Sequence, residues 1–271
     1  MSILKIGFIG MTTLIEAILD ERASRKDITV ISVSSGSKMD EKSIKTIEEI
    51  SSALETDLFL LVSPNASLPG PKAFAERLAS RKPTILISDG PAKKMINEIK
   101  GKLGYIIVEA DPLIGVRKEF LDPVEMAIFN SDVIKVLSVT GAIRVLHLEI
   151  DRVILELSAN GHARLPSLLI TKDVALTGSG FSNPYAKAKA MASYETARHA
   201  GILAAEGAYR EKNRERYLIL VAAAHELLRD AARVADEARE LEKSNDSVSR
   251  IIHEASGSRI EKKRLIDDFP K

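Results

Sequence analysis

The chain has 271 residues, 45% hydrophobic and 28% charged, the balance of a globular protein of one large or two ordinary domains. Lys plus Arg number 39 and Asp plus Glu 38, so the near-zero net charge gives no reason to expect nucleic acid or an anionic membrane as partner. Cysteine is absent, which excludes disulfides, thiolate metal sites, iron–sulfur clusters and cysteine nucleophiles.

The first strand is expected almost at once, from Ile3, with no charged and apolar leader ahead of it; no signal peptide is expected. No apolar run approaches the roughly 20 residues of a membrane helix, so the expected location is the cytoplasm. Strands are predicted at Leu4 to Ile9, Ile28 to Val33, Leu58 to Val62, Thr84 to Ile87 and Tyr105 to Val108. Between them lie helical patterns at Thr13 to Ala23, after the cap Asp40, at Pro71 to Ala79 and at Ala92 to Ile99. Such alternation implies βαβ units.

After Asp111 the apolar period becomes helical. Asp122-Pro123-Val124-Glu125 reads as N-cap, N1 proline and N3 glutamate, opening a helix that runs to about Leu157. A loop is expected from Asn160-Gly161 through Pro166 and Gly178 to Gly180. Asn183-Pro184 starts another helix to about Glu206, and a last one spans about Arg214 to Lys243. The polar tail ends in a charged strip, Glu261 to Arg264, expected to be solvated. The expected fold is α/β: an N-terminal open parallel sheet with helices on both faces (1–115, ligand-binding), followed by a long-helix bundle (116–271) that associates copies of the chain.

The chemical motifs are few. GxGxxG, Walker A, GxSxG and HExxH are all absent, and the five histidines show no pairing at ligand spacing, so no metal site is expected. The generic ligand position is the crevice outside the carboxyl ends of the strands. Those ends fall at Gly10 to Thr13, Ser34 to Lys38, Ser63 to Gly70, Ser88 to Pro91 and Glu109 to Arg117. The third is unusually rich in Pro and Gly. It suits a stiff loop that a flat ligand approaches closely, or one shaped only to enter the next helix.

Several stretches together resemble one family. They are Leu103 to Val108 with Ala110-Asp111-Pro112 and Ile114-Gly115; Arg117 with Glu119 to Pro123, Glu125-Met126-Ala127 and Asn130; Asn183 to Ala192; Ala224 to Leu227; and Ala238 to Asp246. Asp20 to Ala23, and Ser63-Pro64-Asn65 with Pro69-Gly70-Pro71, match nearer the start. In these the chain is similar to the F420-dependent methylenetetrahydromethanopterin dehydrogenases over nearly its whole length. The resemblance implies reversible hydride transfer between coenzyme F420 and methylene/methenyl-tetrahydromethanopterin, in a homo-oligomer of archaeal one-carbon metabolism.

It also implies a site that holds two flat ring systems face to face, with no covalent protein intermediate. On the cofactor side it points to Thr12, Thr13, Ser63, Pro64, Asn65, Asp89 and Arg117. On the substrate side it points to Asp111, His225 and Glu226, with Asp111 also a candidate electrostatic contributor. Each has a plainer reading: Asn65 and Asp111 as turn formers, Arg117 paired with Glu119, His225 as a helix-packing residue, Glu226 as a surface carboxylate. Asp122 is read first as a helix cap. The chain departs from the family after the first strand, where Gly10-Met11-Thr12-Thr13 replaces a longer loop, and at Ala66-Ser67-Leu68, Ser88 to Ala92 and Ile251-Ile252-His253. The departures leave open a relative of altered specificity, or a non-catalytic one whose cleft is filled by Met11, Leu68 or Met95.

Overall fold

The structure, a computed structural model, describes residues 1–20, 25–111 and 122–269, with the backbone alone for 16–20. Six strands form one parallel sheet in the order β2-β1-β3-β4-β5-β6: β1 (Ser2–Lys5), β2 (Ile31–Ser34), β3 (Phe59–Val62), β4 (Thr84–Asp89), β5 (Gly104–Val108) and β6 (Ser167–Ile170). The helices of the first half are α1 (Gly10–Asp20), α2 (Glu41–Ser52), α3 (Pro69–Ala79) and the short α4 (Ile96–Ile99), which follows a 3-10 turn over 90–95. The second half adds α5 (Pro123–Val139), α6 (Ala142–Asn160), α7 (Lys172–Ser179), α8 (Pro184–Ala205) and α9 (Arg214–Ser244). It ends in an antiparallel hairpin, β7 (Arg250–His253) and β8 (Arg259–Lys262). Among the described residues, no helix is long and apolar enough to cross a membrane.

Strand side chains alternate between two cores, as the two-residue period of a strand demands. Ile3, Leu60, Val62, Ile85, Ile87, Ile106 and Val108 point to one face, where α1, α5, α6, α8 and α9 cover them. Leu4, Phe59, Leu61, Leu86 and Ile107 point to the other, against α2, α3 and the 90–99 segment. Each such side chain, once buried, contributes roughly 1.5–3 kcal/mol. Helices α8 and α9 pack along each other through alanines, including Ala190, Ala197, Ala231 and Ala235, all essentially inaccessible. Small side chains let the two backbones approach closely, and Ser193 Oγ donates to Ala231 O at 2.7 Å within that seam.

The first strand, expected to reach Ile9, ends at Lys5, so Gly10 to Thr13 form the first turn of α1 rather than a strand-end loop. Three further local expectations change. The single helix expected from 122 to about 157 is two, because Gly141 adopts φ +97° between α5 and α6. A Cβ there would lie 2.2 Å from both Ala175 O and Ser179 N, so only glycine fits. The loop expected after Gly161 contains β6 and α7. Strand β6 is a four-residue edge that owes its state to pairing with β5, and α7 is capped by Thr171 and closed by Gly180 at φ +69°. Short edge elements carry too little periodicity to announce themselves. The polar tail pairs as β7–β8. The caps Asp40, Asp122 and Asn183 all accept backbone N–H bonds at their helix starts, as their residue types require.

Glu242, near the end of α9, fastens the start of α8. Its carboxylate accepts from Ser182 N at 2.9 Å, Ser182 Oγ at 2.6 Å and Asn183 N at 3.0 Å, and from Ser247 Oγ. Burial alone would raise its pKa, but these donors hold it down to about 2. A depressed carboxylate stabilises the fold above its unfolded pKa and loses that contribution as pH falls toward the folded value. Glu242→Gln is therefore expected to lose roughly 1.5–3 kcal/mol at pH 7. Urea titrations at pH 7 and pH 3 will show the gap between parent and variant closing as acid is added.

Candidate functional site at the carboxyl ends of the strands

The chain passes from β1 out to β2 and then back across to β3, so the sheet's winding reverses between β1 and β3. Connections leave on opposite sides there and open a crevice. Gly7, at φ +77°, follows β1 and faces the third loop: a Cβ on it would lie 2.9 Å from Pro64 Cδ and 2.8 Å from the Met39 side chain. A groove of about 630 Å³ between α2 and α3, lined by Met39, Lys45, Pro69, Gly70 and Arg77, adjoins this point. Another cavity, of about 460 Å³, lies at the opposite, amino ends of the strands against Met1, Leu58 and Pro83. It is lined by the loops that enter β2, β3 and β4, at the end opposite the usual ligand crevice of such sheets.

The third loop is held from beneath by polar side chains of β4. Ser88 Oγ donates to Ser63 O at 2.6 Å and accepts from Ala66 N at 3.2 Å. Asp89 Oδ1 accepts from Asn65 N at 2.7 Å. Asn65 sits at φ 39°, a left-handed conformation that Asn tolerates better than most residues. Its Oδ1 accepts from Ser67 Oγ at 2.6 Å. Ser63 and Pro64 are buried in the loop's base.

Two carboxyl groups lie beneath the crevice. Asp89 is wholly buried, and its Oδ2 has no hydrogen-bond partner among the described residues. Burial pushes its pKa up to about 6, against the pull of the Asn65 N–H. Asp111, at the end of β5, is 3% exposed. Its two oxygens accept from Gly10 N and Met11 N, each at 2.8 Å, at the amino end of α1. Burial raises Asp111 to about 7; the helix N–H groups oppose this and the Asp89 charge adds to it. Burial and the Asp89 charge also raise the pKa of Tyr209, on a π turn over 206–210 that follows α8. Tyr194 ties the sheet's far side together, donating its hydroxyl to Ile170 O and accepting from Ala110 N at 3.3 Å.

The structure thus brings Ser63, Pro64, Asn65, Asp89, Asp111 and Thr12 to one end of the sheet. Thr12 is buried and its Oγ1 accepts from Ile9 N at 3.1 Å, which caps the turn into α1; Thr13 beside it is half-buried. His225 is 5% exposed on α9, its Nδ1 at 2.9 Å from Glu125 Oε1 and its ring 4.2 Å from that of Phe129. Glu226 points to solvent, where Arg229 Nη1 donates to it at 3.2 Å. Arg117 lies outside the described residues. Met11 and Met95 belong to the two cores and Leu68 is exposed. Ser88, Tyr194 and Tyr209 carry no local sequence signal beyond the strand-end position of Ser88.

Fold and site define a doubly wound α/β protein whose ligand crevice lies outside the strand ends, over a pair of buried acids. A family model described as methylene-5,6,7,8-tetrahydromethanopterin dehydrogenase matches residues 1–270. The F420-dependent methylenetetrahydromethanopterin dehydrogenase of Archaeoglobus fulgidus is 48% identical over 265 residues, 97% of this chain and 96% of the relative. That of Methanocaldococcus jannaschii is 44% identical over 268 residues, 98% and 97% of the two chains. A solved F420 dependent methylene-tetrahydromethanopterin dehydrogenase, in complex with methylene-tetrahydromethanopterin and coenzyme F420, matches with a TM-score of 0.94 and 40% identity over 99% of this chain and 98% of that one. The chain belongs to the methylenetetrahydromethanopterin dehydrogenase family.

Both raised acids bind their proton more tightly in the folded chain than in the unfolded one. Stability contributed by that preference is present at low pH and is lost as pH rises through the folded values of about 6 and about 7. Asp89→Asn removes one such group and keeps an oxygen for the Asn65 N–H. Relative to the parent it is expected to gain roughly 1–3 kcal/mol between pH 4.5 and pH 8. Denaturant midpoints across that range test this; a difference independent of pH would contradict it.

Proposed function

We propose that the chain catalyses reversible hydride transfer between coenzyme F420 and the one-carbon unit of tetrahydromethanopterin, interconverting the methylene and methenyl forms. Relatives sharing nearly half its residues over nearly its full length support the reaction. The observation that carries the site is the wholly buried Oδ2 of Asp89 at the crevice, an acceptor with no hydrogen-bond partner among the described residues. Ring N–H groups of a deazaflavin or a pterin are donors of that kind. Coenzyme F420, when bound, supplies the hydride acceptor.

The chain's own part is positioning and charge. The loop Ser63-Pro64-Asn65, pinned by Ser88 and Asp89, offers a stiff backbone edge to a flat ring. Thr12, Thr13 and Arg117 complete the cofactor side of this reading. Oxidation of the methylene form creates a cation. Asp89, ionised above about pH 6, sets negative potential beneath the crevice, and Asp111 adds to it as pH rises through about 7, which stabilises that developing charge. His225, next to Glu125, belongs to the substrate side. Glu226 joins it there only if its solvent-facing side chain meets the substrate's outer end. A tetrahydromethanopterin derivative as partner, a cytoplasmic location and association of copies complete the reading. Exposed Tyr185, Ile202 and Ile219 along α8 and α9 support the last. A non-catalytic relative with a plugged cleft is disfavoured because Met11 and Met95 are core residues.

The direct test is titration of the purified protein with F420, then absorbance at the oxidised coenzyme's band with methylenetetrahydromethanopterin added. Bleaching that requires both components is expected. No binding at tens of micromolar would overturn the proposal. In the same assay Asp89→Asn should weaken one ligand or lower turnover by roughly 10- to 150-fold, the worth of a charged hydrogen bond.

A further inference from the structure

A second polar cluster is buried where α6, the connection leading into the amino end of β2, and the β7–β8 hairpin meet. Its centre is Asp151, 2% exposed. Asp151 Oδ1 accepts from Arg25 Nη1 at 3.3 Å. Its Oδ2 faces His253 Nε2 at 2.8 Å and His147 Nε2 at 3.5 Å. Taking one ligand atom from each of His147, Asp151 and His253, all lie within 4.8 Å of one another.

We propose that His147, Asp151 and His253 bind a divalent transition-metal ion of the zinc type, which pins the hairpin to α6. Two imidazole nitrogens and one carboxylate oxygen are a donor set such ions accept, with water as fourth ligand. Bonds of about 2.0–2.1 Å in a tetrahedron place ligand atoms about 3.3 Å apart. The His147–Asp151 separation already has that value within a few tenths of an ångström, and it is set by one turn of α6. His253 must draw back from Asp151 by about half an ångström, and the two imidazole nitrogens, within 4.8 Å of each other, must settle at the same separation; His253 rides on a short hairpin. The His147 side chain is 14% exposed, which leaves water a route to the fourth position.

The surroundings fit an outer shell. Metal-ligating carboxylates commonly have their other oxygen held by a hydrogen-bond donor, and Arg25 is that donor here. The remaining fork of Arg25 is taken up by Asp27, through Nε to Oδ1 at 2.8 Å and Nη2 to Oδ2 at 2.5 Å. With neutral imidazoles the cluster of Arg25, Asp27 and Asp151 carries one net negative charge, which attracts a cation. The hairpin is already seated on this pair: Lys26 N donates to Ala255 O at 2.9 Å. Gly257, at φ +88°, packs so closely that a Cβ would lie 2.4 Å from Asp27 Oδ2. The competing occupant is a proton on one imidazole, which the experiment separates from a metal.

The test uses the full chain, stripped with a chelator and titrated with Co²⁺, then Zn²⁺. One equivalent of Co²⁺ should produce the visible absorption of a four-coordinate site. One equivalent of Zn²⁺ should abolish it and raise the melting midpoint. His147→Gln and His253→Gln should each weaken uptake on the order of 100-fold, a loss read from the cobalt spectrum. The parent protein alone is enough to overturn the proposal: no cobalt spectrum and no stoichiometric zinc would mean that a proton is the only occupant. Undiminished uptake by the double variant would overturn it equally.

Discussion

The carboxylate of Asp111 joins the end of β5 to the first turn of α1, and the ligand end of the molecule depends on that bond pair. Gly10 and Met11 present N–H groups that an α-helix leaves without internal partners, and a buried acid accepts both. The approach is close enough that a Cβ on Gly10 would lie 3.0 Å from Asp111 Oδ1 and 2.2 Å from a methyl of Val133. Strand, helix and α5 therefore meet at one glycine. This contact also places Asp111 within reach of Asp89, so two acids share a water-poor region; burial raises both, and the Asp89 charge adds to the rise at Asp111. An arrangement that stabilised only the fold would pair the second acid; among the described residues Oδ2 of Asp89 has no hydrogen-bond partner.

That tension has a structural counterpart in the loops. The stiff third loop rests on Ser88 and Asp89, and Asn65 holds a left-handed backbone because its N–H is anchored below. A site for hydride transfer between two bound molecules needs shape and charge more than nucleophiles. This accounts for a chain with full-length family similarity in which no catalytic motif is visible. The helices after residue 122 serve the same end: they cover one face of the sheet, and Tyr194 and Tyr209 project from the α8 region toward its carboxyl edge.

Much of the architecture was legible in the sequence because it is periodic and capped. Strands β1 to β5, the caps at Asp40, Asp122 and Asn183, and the extents of α8 and α9 follow from alternation, 3.6-residue spacing and cap chemistry. Gly141 was visible as a residue but not as a break, since the apolar stripe continues across it. Strand β6 was invisible because four residues at a sheet edge become a strand only through a partner 62 positions earlier in the chain, Leu168 beside Ile106. In the candidate site the rich loop Ser63 to Gly70 stood out by composition. The interplay of Asp89 with Asn65 and of Asp111 with α1 did not, since each joins residues far apart in sequence.

The sequence by itself determined the capped helices and central strands, the two-sided sheet and, through its signatures, the family. Those properties are local or cumulative, written in the spacing of apolar residues and in the order of matching stretches. Tertiary structure alone decided which acids are buried, which oxygen lacks a partner among the described residues, and that His147 and His253, 106 positions apart, converge on one carboxylate. Burial and proximity are what shift a proton affinity or assemble a ligand set, and both are set by chain folding over distances that no local pattern encodes.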